Sequence, residues 1–297
     1  MSARDDEPIS TDPFEVIEWV KLNNLEYYTR LYKVKEGTPI AVLIIIHGFG
    51  EHCDRYEAMA RRFVENKIQV FTFDLKGFGR TGRKNGQLGG LGLFKDTFKD
   101  IKYMIDKNKI DGVPTFMFGH SMGGEISLNY CAEEEYAKTV KSVIVSAPAL
   151  ITDPKLEPPA IVKSLLKGIA HYLPSIPYTV NLADSNITSN LEELEKYRKS
   201  YYNFGNSNIQ TVAEIVNQGD ACRLVKSKTF NVPVLIVHGK GDKVAFSVGA
   251  EEFFNNLPEN LDKKLYLMDS EYHELHFEDD FRDKVFQLYL DWILARL

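Results

Sequence analysis

The chain has 297 residues, of which 44% are hydrophobic, and a formal net charge of -6. This length suits one large domain or two small ones built around an apolar core. Acidic and basic residues are interspersed without a basic stripe of the kind that follows a phosphate backbone, so we expect no nucleic-acid partner. The three cysteines, Cys53, Cys131 and Cys222, are odd in number and widely spaced, which argues against a disulfide framework or a metal knuckle and favours reduced thiols.

The N-terminal segment carries no sign of a targeting sequence. Residues 1–18 are polar and acidic and lack the apolar stretch of a signal peptide. No run in the chain approaches the roughly 18 apolar residues of a transmembrane helix. We therefore expect a soluble, cytoplasmic protein.

Short β-branched and aromatic runs alternate with amphipathic segments, a pattern typical of strands and helices in a largely parallel sheet. Residues 25–34 and 40–46 are predicted to form an opening hairpin. Later strands are predicted at 69–73, 115–118, 142–146, 234–238 and 264–268, and helices near 55–65, 94–107, 122–134, 248–256 and 280–297. Wholly apolar runs such as residues 42–46 indicate strands that are covered on both faces.

The alternation stops between Ser146 and Val232, where six prolines cluster and the following segments read as helices. We therefore divide the chain into an α/β core, residues 1–146 and 229–297, and a helical insertion, residues 147–228, after the sixth strand. An insertion at this point is expected to cover the carboxyl edge of the sheet as a lid. A helical decoration without a gating role is the alternative.

Ser121 lies in a Gly-x-Ser-x-Gly motif between a predicted buried strand and a predicted helix. On such a tight turn the serine hydroxyl is held clear of the backbone, and the N–H groups at the helix start can bind an anion. Gly119 and Gly123 lack the Cβ atoms that would collide there. The motif therefore favours a nucleophilic Ser121 over a plain glycine-rich turn.

A serine nucleophile needs a base, and the base needs a third group to hold it. In folds with this motif both follow the serine, the acid first, in loops after later strands. Asp242 is the predicted acid, and Asp269, after the next strand, is its rival. His273 is the predicted general base. His276, three residues further on, is the alternative base or a hydrogen-bonding group in the pocket wall.

Two backbone donors are expected to face the oxyanion: Met122 N–H, directly after the nucleophile, and Phe49 N–H, in a glycine-rich loop after the opening apolar strand. Glu51 and Arg55 form either a polar pair at one end of a pocket or a solvated helix start. His120 is expected to pin its loop by hydrogen bonds, with substrate contact as the alternative. We expect no metal and no organic cofactor.

Taken in order, these motifs resemble the monoacylglycerol lipase family of serine hydrolases, which have the α/β-hydrolase fold. The resemblance rests on His47-Gly48-Phe49-Gly50-Glu51-His52 with Arg55-Tyr56, Gly119-His120-Ser121-Met122-Gly123-Gly124, Gly239-Lys240-Gly241-Asp242 and Tyr272-His273-Glu274-Leu275-His276. It implies an eight-stranded, mostly parallel sheet beneath a helical cap and a triad of Ser121, Asp242 and His273. It also implies hydrolysis of monoacylglycerol to glycerol and fatty acid through an acyl-enzyme.

A lipid substrate has to leave a membrane or a lipid droplet. Residues 160–173 place apolar side chains at helical spacing, with Lys163, Lys167 and His171 among the polar positions. We expect this helix to touch lipid surfaces transiently; packing against the core is the alternative. Thioesters, lysophospholipids or small peptides are other substrates for the same triad. A hydrolase-fold binding protein without activity is the hypothesis from a different class.

Overall fold

The computed structural model describes residues 10–151, 168–170, 172–180 and 183–297. Its strands are β1 (Glu15–Leu22), β2 (Leu25–Tyr32), β3 (Ala41–Ile46), β4 (Ile68–Phe73), β5 (Thr115–His120), β6 (Ser142–Ser146), β7 (Pro177–Thr179), β8 (Asn206–Asn208), β9 (Val234–Gly239) and β10 (Lys263–Met268). Its helices are α1 (Glu57–Glu65), α2 (Gly79–Lys84), α3 (Phe94–Asn108), α4 (Met122–Cys131), α5 (Glu134–Ala137), α6 (Leu191–Lys199), α7 (Ile209–Leu224), α8 (Ser247–Asn256) and α9 (Arg282–Leu294).

Eight strands form one sheet in the order β1-β2-β4-β3-β5-β6-β9-β10. The pairs β1–β2 and β2–β4 are antiparallel, and every other pair in this sheet is parallel. The predicted mostly parallel sheet with flanking helices is confirmed. The carboxyl ends of β3, β5, β9 and β10 therefore lie along one edge of the sheet.

The opening hairpin differs from the predicted one. β2 pairs with β1 and β4, whereas β3 lies between β4 and β5, so the prediction that residues 25–34 pair with residues 40–46 is wrong. The hairpin joins β1 to β2 through Asn23 and Asn24, whose φ angles are 50° and 63°. A two-residue turn with positive φ at both positions matches the twist of the paired strands, and asparagine tolerates that conformation.

Four smaller elements also depart from the predictions. The insertion contains the antiparallel pair β7–β8 besides its helices. The single helix expected over residues 122–134 is divided into α4 and α5, and α2 was not predicted. These helices and strands are three to six residues long. They are too short for an apolar pattern to repeat twice at the spacing of a helix or a strand.

Both faces of the sheet are buried. The side chains of Val42, Ile44 and Ile46 in β3 belong to a core cluster with residues of α3, α4 and α8. Those of Leu43 and Ile45 belong to a second cluster with residues of α1 and α9. A strand covered on both faces has to be apolar throughout, which explains the uninterrupted apolar run. The polar side chains that could act in catalysis therefore lie in the loops at the strand ends.

The insertion contacts the core at two levels. α7 packs against α4 and α8, and Glu214 Oε1 accepts a hydrogen bond from Phe94 N (2.9 Å) at the start of α3. Before α7, the chain crosses the carboxyl edge of the sheet, where Phe204 N donates to Gly50 O (3.0 Å). No helix in the described ranges combines the length and apolarity needed to cross a membrane.

Candidate active site

Ser121 lies between β5 and α4 in a strained backbone conformation, with φ 53° and ψ -121°. The turn is held by hydrogen bonds from Ser121 N to Ser146 O and from Ala149 N to Ser121 O, both 3.0 Å. A Cβ on Gly119 would lie 2.3 Å from Gly123 O. The predicted sharp strand-to-helix turn is confirmed, and it requires glycine at these positions.

Asp242 and His273 meet at the same edge of the sheet. Asp242 follows β9 and His273 follows β10, and His273 Nδ1 lies 2.7 Å from Asp242 Oδ2. The other carboxylate oxygen, Oδ1, accepts from Val244 N (2.8 Å) and Ala245 N (3.1 Å). His273 and Ser121 line one pocket. The rival acid, Asp269, is exposed, so the structure pairs His273 with Asp242.

The pKa values of the pair move in opposite directions. Burial would raise the pKa of Asp242, but the charge of His273 and hydrogen bonds from histidines hold it well below its ordinary value. Burial would lower the pKa of His273, but the charge of Asp242 and its hydrogen bond raise it. Asp242 is therefore ionised at neutral pH and accepts the Nδ1 proton of His273. This tautomer leaves His273 Nε2 able to accept a proton.

A second imidazole, not predicted from the sequence, contacts the same carboxylate. His238 Nε2 lies 3.2 Å from Asp242 Oδ2 and 2.7 Å from Ala245 O. Its Nδ1 is buried without a hydrogen-bond partner in the described part of the chain. Because both neighbours of Nε2 are acceptors, His238 carries its proton there. The histidine directly before the Gly-x-Gly-Asp turn was the available signal.

The loop after β3 brings Phe49 to Ser121. His47 Nε2 accepts from Leu75 N (2.9 Å), which fixes the tautomer, and Nδ1 donates to Gly48 O (2.7 Å). Phe49 lines the pocket of Ser121, and its ring packs edge-on against Phe78 with ring centroids 5.2 Å apart. These contacts hold the loop beside Ser121, as expected of a backbone that presents a donor.

A buried ionic cluster borders the pocket. Arg55 donates to Glu51 Oε2 (2.7 Å) and to both carboxylate oxygens of Glu274 (2.6 and 2.8 Å). Glu51 Oε1 accepts from Tyr56 O–H (2.7 Å) and Gly48 N (2.5 Å). Glu51 is 2% exposed, so the alternative of a solvated helix start is wrong. Burial raises the pKa of both carboxyl groups; the charge of Arg55 outweighs it at Glu51 but not at Glu274.

Two further histidines surround the predicted base. The His120 ring centroid lies 4.7 Å from those of His273 and His276, and His120 Nδ1 lies 3.2 Å from Ser146 O. Neither ring nitrogen of His276 has a hydrogen-bond partner within the described ranges. Burial holds the pKa of His120 and of His276 well below its ordinary value. Both are therefore neutral, and His276 keeps an unused donor and acceptor.

The insertion supplies pocket residues that the sequence analysis did not identify. Ile187 and Tyr197 line the pocket of Ser121 together with Glu274. The positions of Ile187 and Tyr197 depend on how the insertion folds back over the sheet. The spacing of apolar residues in the sequence does not predict that arrangement. Glu274 directly follows the predicted base, and that position was the available signal.

Comparisons with known proteins agree with this geometry. The family model described as Serine aminopeptidase, S33 (Hydrolase_4) matches residues 37–280. A monoglyceride lipase of Saccharomyces cerevisiae is 29% identical over 268 residues, which cover 82% of this chain and 80% of that protein. Phospholipase YtpA of Bacillus subtilis is 24% identical over 253 residues, which cover 85% of this chain and 95% of that protein.

Among solved structures, a soluble variant of the Saccharomyces cerevisiae monoglyceride lipase in complex with a substrate analog superposes with a TM-score of 0.83. The match covers 98% of this chain and all of that one at 23% identity. It establishes the α/β-hydrolase fold, and the curated relatives confirm the predicted resemblance to monoacylglycerol lipases. Because the family model spans the loop of Phe49, the turn of Ser121 and the Asp242–His273 pair, the chain belongs to the Serine aminopeptidase, S33 family of α/β-hydrolases.

Proposed function

We propose that the protein is a carboxylic ester hydrolase that cleaves monoacylglycerol to glycerol and fatty acid. The observation that carries the proposal is the meeting of Ser121, the Asp242–His273 pair and Phe49 at one pocket. Relatives named monoglyceride lipase match most of the chain, which supports monoacylglycerol as the substrate.

In the proposed mechanism, His273 Nε2 takes the proton of Ser121 Oγ, and the serine oxygen attacks the ester carbonyl. The N–H groups of Phe49 and Met122 bind the oxyanion, and each such donor stabilises the transition state by about 3 to 4 kcal/mol. His273 then protonates glycerol as the C–O bond of the ester breaks. Water, activated in the same way, releases the fatty acid from Ser121.

We assign the glycerol group to the polar side of the pocket, formed by Glu51, Arg55 and His120. His276 lines a second cavity that shares Arg55 with this pocket, and its ring centroid lies 4.7 Å from that of His120. Glu51 and Arg55 are fixed by the buried cluster, so they meet a hydroxyl without first losing side-chain freedom. His276 has both ring nitrogens unused within the described ranges. A hydroxyl can donate to one such nitrogen or accept from the other.

We propose that residues 147–228 act as a lid on a core formed by residues 1–146 and 229–297. The pocket at Ser121 has a volume of about 20 Å³, which is room for about one water molecule. Ile187 and Tyr197, both from the insertion, are part of its wall. A monoacylglycerol therefore needs these side chains to move before it can reach Ser121.

We further propose that the protein works in the cytoplasm and touches membranes or lipid droplets transiently through the insertion. Most of the predicted docking helix, residues 160–167 and 171, including Leu165, lies outside the described residues. The residues that follow expose apolar side chains: Tyr172 is 80% exposed, Leu173 57% and Ile176 42%. Exposed apolar groups close together support contact with a lipid surface.

A lysophospholipase is the second candidate. The similarity to a Bacillus subtilis phospholipase favours it. A peptidase is less well supported. It needs a carboxylate for the substrate amine, and Glu51 and Glu274 are both bonded to Arg55.

The deciding experiment measures turnover of monoolein, lysophosphatidylcholine, an acyl thioester and a peptide anilide by the same preparation. We expect monoolein to have the highest kcat/KM and Ser121→Ala to abolish its turnover. A higher kcat/KM for any other substrate would overturn the choice of monoacylglycerol.

A fluorophosphonate probe separates an enzyme from an inactive binding protein. We expect stoichiometric labelling of the native protein and none of Ser121→Ala, because the probe reacts with an activated serine. Failure to label the native protein, or labelling that persists in Ser121→Ala, contradicts the nucleophile.

A further inference from the structure

Glu278 is a buried carboxylate, 4% exposed, that follows the loop of the predicted base. Within the described residues, the hydrogen-bond donors to its carboxylate all lie in the insertion. Oε1 accepts from Thr188 Oγ1 (2.5 Å) and Ser189 N (2.7 Å), and Oε2 accepts from Ser189 Oγ (2.5 Å). Three hydrogen bonds to one charged group fix residues 188–189 firmly.

The residues just before this pair are bonded to the base itself. His273 N donates to Asn186 O (3.1 Å), and Glu274 N donates to Ile187 O (2.9 Å). The side chain of Ile187 is 2% exposed and lines the pocket of Ser121. The insertion segment 186–189 therefore supports the backbone of His273 and closes the pocket at the same time.

Glu278 is well anchored for this task. Its own carbonyl accepts from Phe281 N (3.0 Å) and Arg282 N (2.7 Å) at the start of α9. α9 contributes several side chains to the core cluster on one face of the sheet. Glu278 thus ties residues 188–189 of the insertion to the start of α9, a helix that packs in the core.

We propose that Glu278 is a positioning residue that places His273 through the insertion segment 186–189. Glu278 fixes Thr188 and Ser189 by hydrogen bonds. These two residues directly follow Asn186 and Ile187 in the chain, and the carbonyl groups of Asn186 and Ile187 accept hydrogen bonds from the loop of the base. This inference rests on the proposed function, because it assigns His273 as the base. The new element is that His273 keeps its position only while the insertion segment 186–189 is bound to Glu278.

The first test compares Glu278→Ala, Glu278→Gln and the native enzyme on a soluble short-chain ester. We expect Glu278→Ala to lower kcat by about tenfold to a hundredfold with little change in KM, since a misplacement of about 1 Å can cost a hundredfold. Glu278→Gln keeps the length and one acceptor oxygen, so we expect kcat within about threefold of native. Asp280→Asn, an exposed carboxylate two residues away, is the matched control and should leave kcat unchanged.

A second test approaches the contact from the other side. Ser189 is exposed, so Ser189→Ala should fold normally, and combined with Glu278→Ala it should add little to the loss in kcat. The low-field proton resonance of the His273 Nδ1–H bond to Asp242 reports the base directly. We expect this resonance to broaden by exchange with water in Glu278→Ala and to persist in Asp280→Asn.

The outcomes separate this inference from the proposed function. Glu278→Ala with native kcat and a sharp resonance overturns the inference even if its melting temperature falls, and the hydrolase assignment then stands. If Ser189→Ala lowers kcat in the native enzyme and lowers it by the same factor in Glu278→Ala, the inference is also overturned. A native protein that neither turns over the soluble ester nor labels with the fluorophosphonate contradicts the proposed function instead, and the resonance still tests the contact.

Discussion

At the residue scale, a single oxygen atom, Oδ2 of Asp242, has two imidazole neighbours. His273 Nδ1 lies 2.7 Å from it and His238 Nε2 lies 3.2 Å from it. A buried carboxylate that accepts several hydrogen bonds stays ionised and keeps its orientation. Asp242 can therefore stabilise a positive charge on His273 without taking up the proton itself.

The raised pKa of His273 gives a test by pH. The base works only when neutral, so kcat/KM for a soluble ester should rise with pH and reach its midpoint above the ordinary histidine pKa. Asp242→Asn removes the charge that raises this pKa. We expect the midpoint to move to lower pH and the maximum to fall by about four orders of magnitude, the loss typical of such a substitution.

Asp269→Asn is the matched control for this experiment, because Asp269 is the exposed acid after the neighbouring strand. Its pH profile should equal that of the native enzyme. If Asp242→Asn keeps the native midpoint, or if Asp269→Asn shifts it, Asp242 is not the acid that holds His273.

Arg55 offers a second prediction by pH. Arg55→Ala leaves Glu51 and Glu274 buried without their cation, which we expect to lower the free energy of unfolding by about 3 to 5 kcal/mol at neutral pH. The uncompensated carboxyl groups then have raised pKa values in the folded state and bind protons more readily than in the unfolded state. The loss of stability should therefore shrink as the pH falls.

Urea unfolding of Arg55→Ala and the native protein at pH 8 and pH 5 measures this effect. Arg55→Lys is the comparison variant, since it keeps a charge but cannot bond both oxygens of Glu274 at once. Equal losses at the two pH values would mean that packing, rather than uncompensated charge, dominates the effect of Arg55→Ala.

At the scale of elements, the site depends on the close approach of the β3 loop to the start of α4. A Cβ on Gly123 would lie 2.3 Å from Ile46 O and 2.4 Å from His47 O. Gly123→Ala therefore has to push α4 away from the loop that carries Phe49. We expect a loss of about 1 to 3 kcal/mol in the free energy of unfolding, together with a lower kcat.

Gly168→Ala is the control for this substitution, because no atom of the described residues lies within 4 Å of the position that its Cβ would take. Urea unfolding and turnover of a soluble ester are measured for both variants. A Gly123→Ala variant as stable and active as Gly168→Ala would show that the two elements separate without cost.

Local patterns predicted the elements better than their pairing. The apolar runs of β3 and β5 mark buried strands by themselves, but nothing in such a run names its neighbour. The hairpin turns at Asn23 and Asn24, between β1 and β2, whereas the apolar runs favour a hairpin of residues 25–34 with residues 40–46. Ser121, Asp242 and His273 follow from their order in the chain. Ile187 does not, because its place depends on the fold of the insertion.

At the scale of the whole molecule, lipid binding and chemistry are expected to be separable. Leu173→Asp and Ile176→Asp place charge among the exposed apolar side chains of the insertion. We expect less co-sedimentation with phosphatidylcholine vesicles, because a charged group cannot enter the apolar part of the membrane surface without losing hydration. Turnover of a soluble short-chain ester should not change.

The control is Leu191→Asp, at the first residue of α6, where the leucine is 78% exposed. It should sediment with vesicles as the native protein does. If all three variants lose binding equally, the contact depends on overall charge, and if none does, this part of the insertion is not the docking surface.

The contacts that Glu214 and Ser189 of the insertion make with the core have a practical consequence for building chimeras. Replacing all of residues 147–228 with the insertion of a relative would remove Glu214 from the start of α3 and Ser189 from Glu278. A graft limited to residues 190–208 spares both contacts and still exchanges Tyr197. The bond from Phe204 N to Gly50 O uses only backbone atoms, so any residue except proline can remake it. We expect such a graft to change the pocket wall at Tyr197 and to keep the contacts of Glu214 and Glu278.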